Sequence, residues 1–589
     1  MTTPITSIRP VGDRAVLVQL GGLNEVLGLY EALREHPLPG QVDLVAAAET
    51  ILVTADSAGA ARGFAARLHA LDPGDADATG ADTLVEIDVI YDGDDLDEVG
   101  DLTGLGRDGV IAAHTGQPWT AAFGGFAPGF AYLVGDGRLT VARRNSPRRA
   151  VPAGSVALAD SYSAVYPRVT PGGWQLIGRT EATLWSLDRD QPALVQPGNR
   201  VQFRAVREFV RAAPPVEAAD ADTVATKAAA ADLLVVQPGL QTTVQDLGRT
   251  GLAHLGVAGA GALDRGSLRR ANRLVGNPAS AAVLENALGG LVLKARTEQV
   301  LAVTGASVVI TISRTDAATR VVTTDAPFAL HAGEQLSLDA PLWGVRSYVA
   351  VRGGLDVPLV LGSRSTDSMS GLGPAPLVVG TALQVLPASP SSVVGAAEIP
   401  AAAPDDVTVL RYLPGPRADW FSADTLADFD HTDWRVSAQS NRIGLRLDGP
   451  ALVRSRNGEL PSEGTVSGAI QMPASGLPVL FLADHPVTGG YPVLGVVLHA
   501  DLDRAAQLGT GARIRFAAVP LENAVHFENA VPFEHAVPLE NAMPLEHAVP
   551  LENAMPLEHA VPLENAVPRE NTLTRDTGRV SASDTPNES

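Results

Sequence analysis

Lysine is scarce in this 589-residue chain: it occurs only at Lys227 and Lys294, although lysine and arginine together number 44. A phosphate-binding loop of the type G-x-x-x-x-G-K-[ST] needs a lysine directly after its second glycine, and neither lysine has that setting. The methionine–lysine pair typical of a biotin carrier is also missing. If the chain handles ATP or a carboxyl group, it binds that group by other means or receives it from another polypeptide.

Cysteine is absent, which excludes disulfides, thiol catalysis and cysteine-ligated zinc or iron–sulfur sites, and which fits a reducing cytoplasm. No apolar run approaches the ~18 residues of a membrane span, and the N-terminal stretch MTTPITSIRP has no signal-peptide pattern. Basic residues are outnumbered by 66 acidic ones, for a net charge of −22, which disfavours nucleic-acid binding. We expect a cytoplasmic protein without nucleic-acid or membrane partners, and the sequence leaves assembly into a homo-oligomer open.

The first part of the chain alternates strand-like and helix-like segments. Residues 14–20 and 49–55 have the pattern of strands, and the first of them alternates as a half-buried strand does. Residues 24–34 have helical spacing, and a second helix is predicted over 57–71 with Ser57 as its N-cap. This order indicates a small α+β domain.

Turn glycines followed by alternating apolar residues recur at four places. The pattern Gly-x-x-apolar-x-apolar begins at Gly198, Gly333, Gly380 and Gly511, and the first and last of these close the two halves of the chain. Each predicts a turn that leads into a strand, so we expect related all-β modules, as closed or nearly closed barrels.

The C-terminal segment from Val519 onward repeats a six-residue unit of the type VPLENA. Proline at this frequency forbids a continuous α-helix, and the segment carries 12 acidic and 3 basic residues. We expect a disordered or polyproline-like tail without a catalytic role.

The fold class predicted from these patterns is a β-rich α+β protein. Its predicted divisions are a small α+β domain at 1–80, a barrel at 81–211, a linker at 212–232, two β-barrel-type domains at 233–518 and the repeat tail at 519–589. We call residues 1–211 the first half and residues 233–518 the second half.

Glycine, proline, aromatic and arginine residues are concentrated between Gly124 and Thr180. The runs GGFAPGFAYL, PRRAVPAGSVAL and TPGGWQLIGRT suit tight loops between short strands, where backbone N–H groups approach a ligand. Their aromatic side chains predict an apolar floor, and their arginines predict contact with an anion. The alternative is a set of barrel turns with core aromatics. His114, just before these runs, is either a core histidine or a general base.

These three runs resemble the signature of the family of 5-oxoprolinase B-type subunits. In the second half, the segments PGLQTTVQDLGRTGLAHLGVAGAGALD (238–264), YVAVRGGLDVPLVLGSRSTDS (348–368) and SGAIQMPASGLPVLFLADHPVTGGYPVLG (467–495) resemble the 5-oxoprolinase C-type subunits. The chain is therefore similar to a fusion of two polypeptides that are usually separate, and the resemblance implies barrels of the cyclophilin-like type.

The resemblance implies ATP-dependent opening of 5-oxo-L-proline to L-glutamate together with a separate 5-oxoprolinase A-type subunit, with ATP as co-substrate and Mg²⁺ beside it. A lactam is a poor electrophile, and phosphorylation of its amide oxygen makes the ring carbon open to attack. Arginine and backbone N–H donors are the groups that stabilise such an intermediate.

The candidate site residues form three sets, and no metal ligand is among them. The candidates for catalysis are His114, Arg148, Arg179, Asp246, Arg249 and Asp484. The candidates for substrate or nucleotide contact in the first half are Phe126, Pro128, Gly129, Phe130, Pro152, Gly154, Ser155, Gly172, Gly173 and Trp174. Those in the second half are Gln245, Glu285, Asn286, Arg364, Ser365, Thr366, Arg442, Gln471 and Tyr491. Of these, residues 364–366 have the composition of an anion-binding turn, and for each polar residue the alternative is a hydrogen bond that braces a loop.

Two other functions stay open at this point. One is carboxyl transfer, as in the homologous region of urea carboxylase, for which this chain lacks the biotin-carrier and ATP-grasp segments. The other is regulation of a histidine kinase, because the first half also resembles a kinase inhibitor and the second half its antagonist.

Overall fold

The computed structural model describes residues 5–71, 83–144, 146, 148–209, 231–314, 317–456, 458 and 460–520. Most of the predicted linker lies outside the described residues. Its last two positions, Ala231 and Asp232, are described, and Asp232 accepts a hydrogen bond from Thr297. The predicted tail also lies outside them except for Val519 and Pro520.

The chain begins with a four-stranded antiparallel sheet and two helices. The strands are β1 (Ser7–Pro10), β2 (Ala15–Gln19), β3 (Gln41–Ala46) and β4 (Thr50–Ala55), in the order β1-β2-β4-β3. The helices are α1 (Leu23–Glu35) and α2 (Ala58–Ala70). The hydroxyl of Ser57 accepts a hydrogen bond from Ala60 N, which confirms the predicted N-cap.

A seven-stranded sheet completes the first half. Its strands are β5 (Leu84–Val89), β6 (Pro118–Gly124), β7 (Ala131–Val134), β9 (Ser155–Ala159), β10 (Tyr162–Val165), β12 (Gln175–Arg179) and β13 (Arg200–Ala205). The strands β8 (Arg148–Val151) and β11 (Thr170–Gly172) form a separate two-stranded ribbon. The sheet order is β12-β9-β10-β7-β6-β13-β5, and a bridge between Ile90 and Arg179 joins its two edges. The sheet is thus a nearly closed barrel, flanked by α3 (Leu96–Thr103) and α4 (Gly106–Thr115).

The second half opens with two sheets and one helix, α5 (Arg265–Val275). The strands are β14 (Leu233–Pro238), β15 (Gln241–Gln245), β16 (Val283–Ala287), β17 (Leu291–Ala295), β18 (Gln299–Ser307), β19 (Ile310–Arg314), β20 (Ala317–Val322), β21 (Pro327–Leu330), β22 (Gln335–Leu338), β23 (Trp343–Val351) and β24 (Ala382–Leu383). One sheet has the order β20-β19-β22-β17-β14-β24 and the other β15-β16-β23-β18-β21.

A closed seven-stranded barrel follows. Its strands are β25 (Val407–Pro414), β26 (Trp434–Val436), β27 (Gly444–Asp448), β29 (Ala469–Gln471), β30 (Val479–Phe481), β32 (Val493–Val497) and β33 (Arg513–Ala518). The strands β28 (Glu463–Gly464) and β31 (Thr488–Gly489) form a separate ribbon. The barrel order is β25-β32-β29-β30-β27-β26-β33. Helices α6 (Ala423–His431) and α7 (Leu502–Ala506) lie between its strands in the sequence.

The prediction of a β-rich protein with closed and nearly closed barrels is confirmed, whereas the cyclophilin-like type stays a prediction. The four repeated glycines also behave as predicted. Each has a positive φ, between 84° and 88°, and each stands two residues before a strand, namely β13, β22, β24 or β33.

The four-stranded sheet is buried on both faces. On β2, Val16 and Val18 belong to the core of the first half, whereas Ala15 and Leu17 pack with Phe481 and other residues of the second half. The prediction that β2 is half-buried is therefore wrong: the second half covers the face that an antiparallel sheet usually leaves to solvent. The two halves share a hydrophobic core through this sheet.

Candidate functional site

The aromatic residues of the first-half runs form one cluster. The ring of Phe130 lies 5.4 Å from that of Phe126, 5.2 Å from Tyr132 and 5.6 Å from Trp174, all at steep, edge-on angles. Three of the four rings are buried, and they belong to the hydrophobic core that the seven-stranded sheet shares with the four-stranded sheet and its helices. Phe126 is the partly exposed one, and it has the left-handed backbone, with φ of 58°, that positions the turn.

Two arginines of these runs, Arg148 and Arg179, are bound by carboxylates of the chain itself. Buried Asp95 accepts hydrogen bonds from Arg148 Nη2 at 2.8 Å, from Leu176 N at 2.7 Å, and from Arg144 Nη1. Arg179 pairs with Asp92 at 2.8 Å on the surface. The anion that these side chains were predicted to face is, in this structure, largely supplied by acidic residues just upstream.

Replacing Asp95 by alanine is expected to destabilise the chain by about 1–3 kcal/mol, since three donors lose their shared acceptor. Urea unfolding of the variant measures this loss. Asp97→Ala is the matched control, because Asp97 is exposed and its pair with Arg107 at 3.1 Å contributes about 0–1 kcal/mol. Equal losses in the two variants would contradict the role given to Asp95.

His114 is enclosed in the core of the first barrel. Its Nδ1 lies 2.7 Å from Tyr91 Oη and its Nε2 lies 2.8 Å from Ser163 Oγ, and its ring stacks on Phe203 at 4.3 Å. Burial lowers its pKa to about 3, so the ring is neutral. Its ring has no exposed surface and both ring nitrogens have partners inside the core, so we assign it a structural role instead of the predicted catalytic one.

A buried ionic network lies at the centre of the second half. The Arg442 guanidinium donates to both oxygens of Asp484 at 3.0 Å, to Glu285, and to Gly261 O at 2.6 Å. Glu285, on β16, also accepts from Tyr348 Oη at 2.9 Å. Burial opposes the charge of Arg442, but the two carboxylates outweigh it and raise its pKa.

The turn at 364–366 binds an anion, and that anion is Asp246. The Asp246 carboxylate accepts from Ser365 Oγ at 2.5 Å, from Arg364 N at 2.6 Å and from Ser363 Oγ at 2.6 Å. Thr366 Oγ1 donates to Pro374 O at 2.8 Å. The turn therefore holds a carboxylate of the chain itself through a hydroxyl and a backbone N–H, whereas the Arg364 guanidinium donates to Val357 O at 2.7 Å and not to the anion.

Asp484 lies in the turn that follows β30, with His485 directly after it, and the two side chains have different partners. Asp484 accepts from Ser368 Oγ at 2.6 Å in addition to Arg442. The ring of His485 stacks on Phe481 at 5.7 Å, and burial lowers its pKa. The two do not form an acid–base pair.

Three further candidates keep polar atoms without a hydrogen-bond partner among the described residues. These atoms are Gln245 Oε1, Asn286 Oδ1 and the Nε and Nη1 atoms of Arg249. The remaining Arg249 nitrogen, Nη2, donates to Ser365 O at 2.6 Å. Burial lowers the pKa of Arg249 while Asp367 and Asp246 oppose that shift.

Other candidates have backbone or peripheral roles. A Cβ at Gly154 would lie 2.3 Å from Thr180 O, and one at Gly172 would lie 2.3 Å from Tyr166 Oη, so both positions require glycine. Gln471 donates to Tyr491 O at 3.3 Å, and the Tyr491 side chain is exposed. Pro128, Pro152, Ser155 and Gly173 lie in the same loops or at their edges.

The motif loops of the two halves meet. Phe126 N donates to Thr488 Oγ1 at 2.9 Å, and Gly129 N donates to Leu255 O at 3.3 Å. From the other side, the Asp43 carboxylate accepts from Gly251 N at 3.0 Å and from Ala253 N at 3.1 Å. The loops are far apart in the sequence, and the fold brings them to one junction.

A cavity of about 330 Å³ lies at this junction. Its lining comes from the turn between β1 and β2, from β3 and β4, from residues 257–260, from the start of α5 and from the ends of barrel strands. Of the candidate residues, Arg249 lines it and the first-half runs do not. Four of its ionisable residues, Arg14, Arg265, His499 and Asp503, were missed as site residues, because no motif marks them and they come from separate segments.

Two kinds of feature, metal-ligand clusters and membrane-spanning helices, were sought among the described residues. The described residues contain no group of three or more histidine, aspartate or glutamate side chains that could hold a metal ion. None of the helices that the structure describes is long and apolar enough to cross a membrane. Because Mg²⁺ has no fitting ligand set among these residues, we derive no step through it.

Family models match both halves of the chain. The model described as carboxyltransferase domain, subdomain C and D, matches residues 6–195, and that described as carboxyltransferase domain, subdomain A and B, matches residues 255–518.

Named relatives match the halves in the same order. The chain is 34 % identical to the 5-oxoprolinase B-type subunit of Bacillus subtilis (strain 168), over 34 % of this chain and 93 % of that protein. It is 38 % identical to the 5-oxoprolinase C-type subunit of Escherichia coli (strain K12), over 50 % of this chain and 93 % of that protein. Urea amidolyase of Lachancea kluyveri is 33 % identical, over 49 % of this chain and 17 % of that enzyme.

One solved structure matches both halves together. The crystal structure of TTHA0988 has a TM-score of 0.74 and 33 % sequence identity, and the match covers 86 % of this chain and 99 % of that one.

Proposed function

Because the chain belongs to the carboxyltransferase-domain family that contains the B-type and C-type subunits of 5-oxoprolinase, and joins a B-like half to a C-like half, we propose that it supplies both components of an ATP-dependent 5-oxoprolinase. This enzyme converts 5-oxo-L-proline to L-glutamate, and a separate A-type subunit completes it.

The observation that carries this proposal is the near-complete length of both matches within one chain. The aligned regions cover 93 % of the B-type relative and 93 % of the C-type relative, so neither half is a fragment of its relative. The shared core between the halves, built on β2, favours a single functional body over two independent activities.

The A-type subunit is the component to which we assign the nucleotide. The chain has no lysine in a phosphate-binding loop, and Arg148, which was predicted to contact an anion, is bound to Asp95 together with Arg144. The chain then binds and positions the cyclic amide. The ATP phosphoryl group is transferred to the lactam oxygen, a first water adds to the ring carbon, and the ring C–N bond breaks with protonation of the amine, which leaves γ-glutamyl phosphate. A second water then releases phosphate and completes L-glutamate.

The test is a reconstitution assay with the purified chain and the A-type subunit. We expect 5-oxoproline-dependent release of ADP, with glutamate formed, only when both polypeptides are present. The controls are each polypeptide alone and the replacement of 5-oxoproline by urea. Absence of glutamate from the complete mixture would remove the proposed function.

Carboxyl transfer is the second candidate, favoured by the family description and by the similarity to urea amidolyase. It predicts carboxylation of urea in the presence of a biotinylated carrier protein, without the A-type subunit. Recovery of such a carrier, or of a histidine kinase, in place of the A-type subunit in a pull-down would favour carboxyl transfer or kinase regulation respectively.

A further inference from the structure

The junction cavity has apolar walls and one charged end. Its walls come from both halves, with Val45 and Leu52 on the four-stranded sheet and Leu482 and Val496 on the barrel side. Its volume of about 330 Å³ lies at the lower end of the range for small-molecule sites, roughly 300–1,000 Å³. A cavity of this kind suits a ligand with a compact hydrocarbon part and a charged group.

The charged end is formed around Arg265, the first residue of α5. Its guanidinium makes no hydrogen bond or ion pair with any other residue that the structure describes. Burial lowers its pKa, and the neighbouring charge of Arg269 acts in the same direction. Arg265 is partly exposed and lines the cavity without a protein partner, so a bound carboxylate would supply the paired hydrogen bonds and the charge balance that its guanidinium lacks.

The acidic residue nearest to Arg265 is already engaged. The Asp503 carboxylate accepts from the backbone N–H groups of Arg265 at 2.8 Å and Gly266 at 3.0 Å, which fixes it at the helix start. Burial and the proximity of Asp264 raise its pKa to about 7. Asp503 is therefore a weak counter-ion for the Arg265 guanidinium. The other acidic residues of the lining are Asp13, Asp43 and Asp56.

His499 completes the polar end as a neutral group. Its backbone N–H donates to Asp13 at 3.3 Å, which ties it to the turn of the first half. Burial, together with the charges of Arg14 and Arg265, lowers its pKa to about 3. A neutral imidazole offers a hydrogen bond to an amide without competing for the carboxylate.

We propose that this cavity binds a small cyclic amide acid, whose carboxylate pairs with Arg265 while its ring contacts the apolar walls. On the function proposed above, on which this identification rests, the ligand is 5-oxo-L-proline. Urea has no carboxylate and no hydrocarbon part, so the cavity favours the lactam over urea as the substrate.

The test is a calorimetric titration of the full chain with 5-oxo-L-proline, without the A-type subunit or ATP. The wild type is expected to bind it, and Arg265→Met to bind it about tenfold more weakly or worse. Arg269→Met is the matched control, an exposed arginine on the same helix, for which we expect a change of less than about threefold. Arg265→Lys should recover part of the affinity, since it keeps the charge but not the planar fork.

A second arm uses 2-pyrrolidinone, which has the same ring without the carboxylate. It should bind weakly to the wild type and equally weakly to Arg265→Met. Thermal unfolding of each variant shows that it is folded.

Two results would overturn the proposal: no binding of 5-oxoproline by the wild type, or the same affinity in Arg265→Met. Its failure is distinguishable from failure of the proposed function. If 5-oxoproline binds but is not turned over in the presence of the A-type subunit, the proposed function is wrong and the proposed binding site stands. If Arg265→Met keeps full turnover, the proposed binding site is wrong and the proposed function stands.

Discussion

Replacing Arg442 by methionine is expected to destabilise the chain by about 3–5 kcal/mol, because Glu285 and Asp484 would remain buried without their shared cation. All three side chains are less than 5 % exposed, so water cannot replace the lost partner. Denaturant unfolding followed by tryptophan fluorescence measures the difference in free energy of unfolding.

The control for Arg442 is Arg456→Met. Arg456 pairs with Asp419 at 3.0 Å on the surface, where an ion pair contributes about 0–1 kcal/mol. A triple variant that combines Arg442→Met with Glu285→Gln and Asp484→Asn carries no unpaired charge and should be more stable than the single variant. A single variant as stable as wild type would contradict the network.

Local structure was the part of the fold that the sequence predicted well. The hydroxyl of Ser57 caps α2 because the side chain and the N–H group it accepts from are three residues apart. Gly198 and Gly511 each form a turn two residues before a strand. The positive φ of such a turn depends only on the glycine at that position, so it can be predicted locally. These features depend on neighbours in the chain, which a single sequence contains.

Pairing partners were the part that the sequence could not supply. The turn at 364–366 has the donors of an anion site, but its local sequence does not indicate that the Asp246 carboxylate accepts their hydrogen bonds. His114 has the same difficulty: a lone histidine before a glycine-rich run is compatible with a base or with the core, and only the packing of Phe203 decides.

The junction cavity is the extreme case of this limit. Arg14, Arg265, His499 and Asp503 lie almost five hundred positions apart at their extremes, and each is an ordinary surface residue by local pattern. These four residues come together only because the four-stranded sheet is covered on both faces. One local feature of the sequence indicates this coverage: the run AVLV of β2 is apolar without interruption, as strands buried on both faces are.

Glycines let the two halves approach each other closely, and substituting them should separate the halves. A Cβ at Gly124 would lie 2.4 Å from His254 O, and one at Gly256 would lie 2.3 Å from Ala127 O. We expect Gly124→Ala to cost about 1–3 kcal/mol from overpacking against a backbone that cannot yield. Gly256→Ala should lose about 1–2 kcal/mol more, since its φ of 76° disfavours any Cβ.

Gly28→Ala provides the matched control for these two glycines. Gly28 lies within α1, where a Cβ meets no atom within 4 Å, so alanine should stabilise the chain by about 0.5–1 kcal/mol through helix propensity. Urea unfolding of the three variants should therefore give opposite signs for the same chemical change. If Gly124→Ala and Gly256→Ala matched Gly28→Ala, the close backbone contact between the halves would not exist in solution, and the junction cavity would lose the surface that closes it.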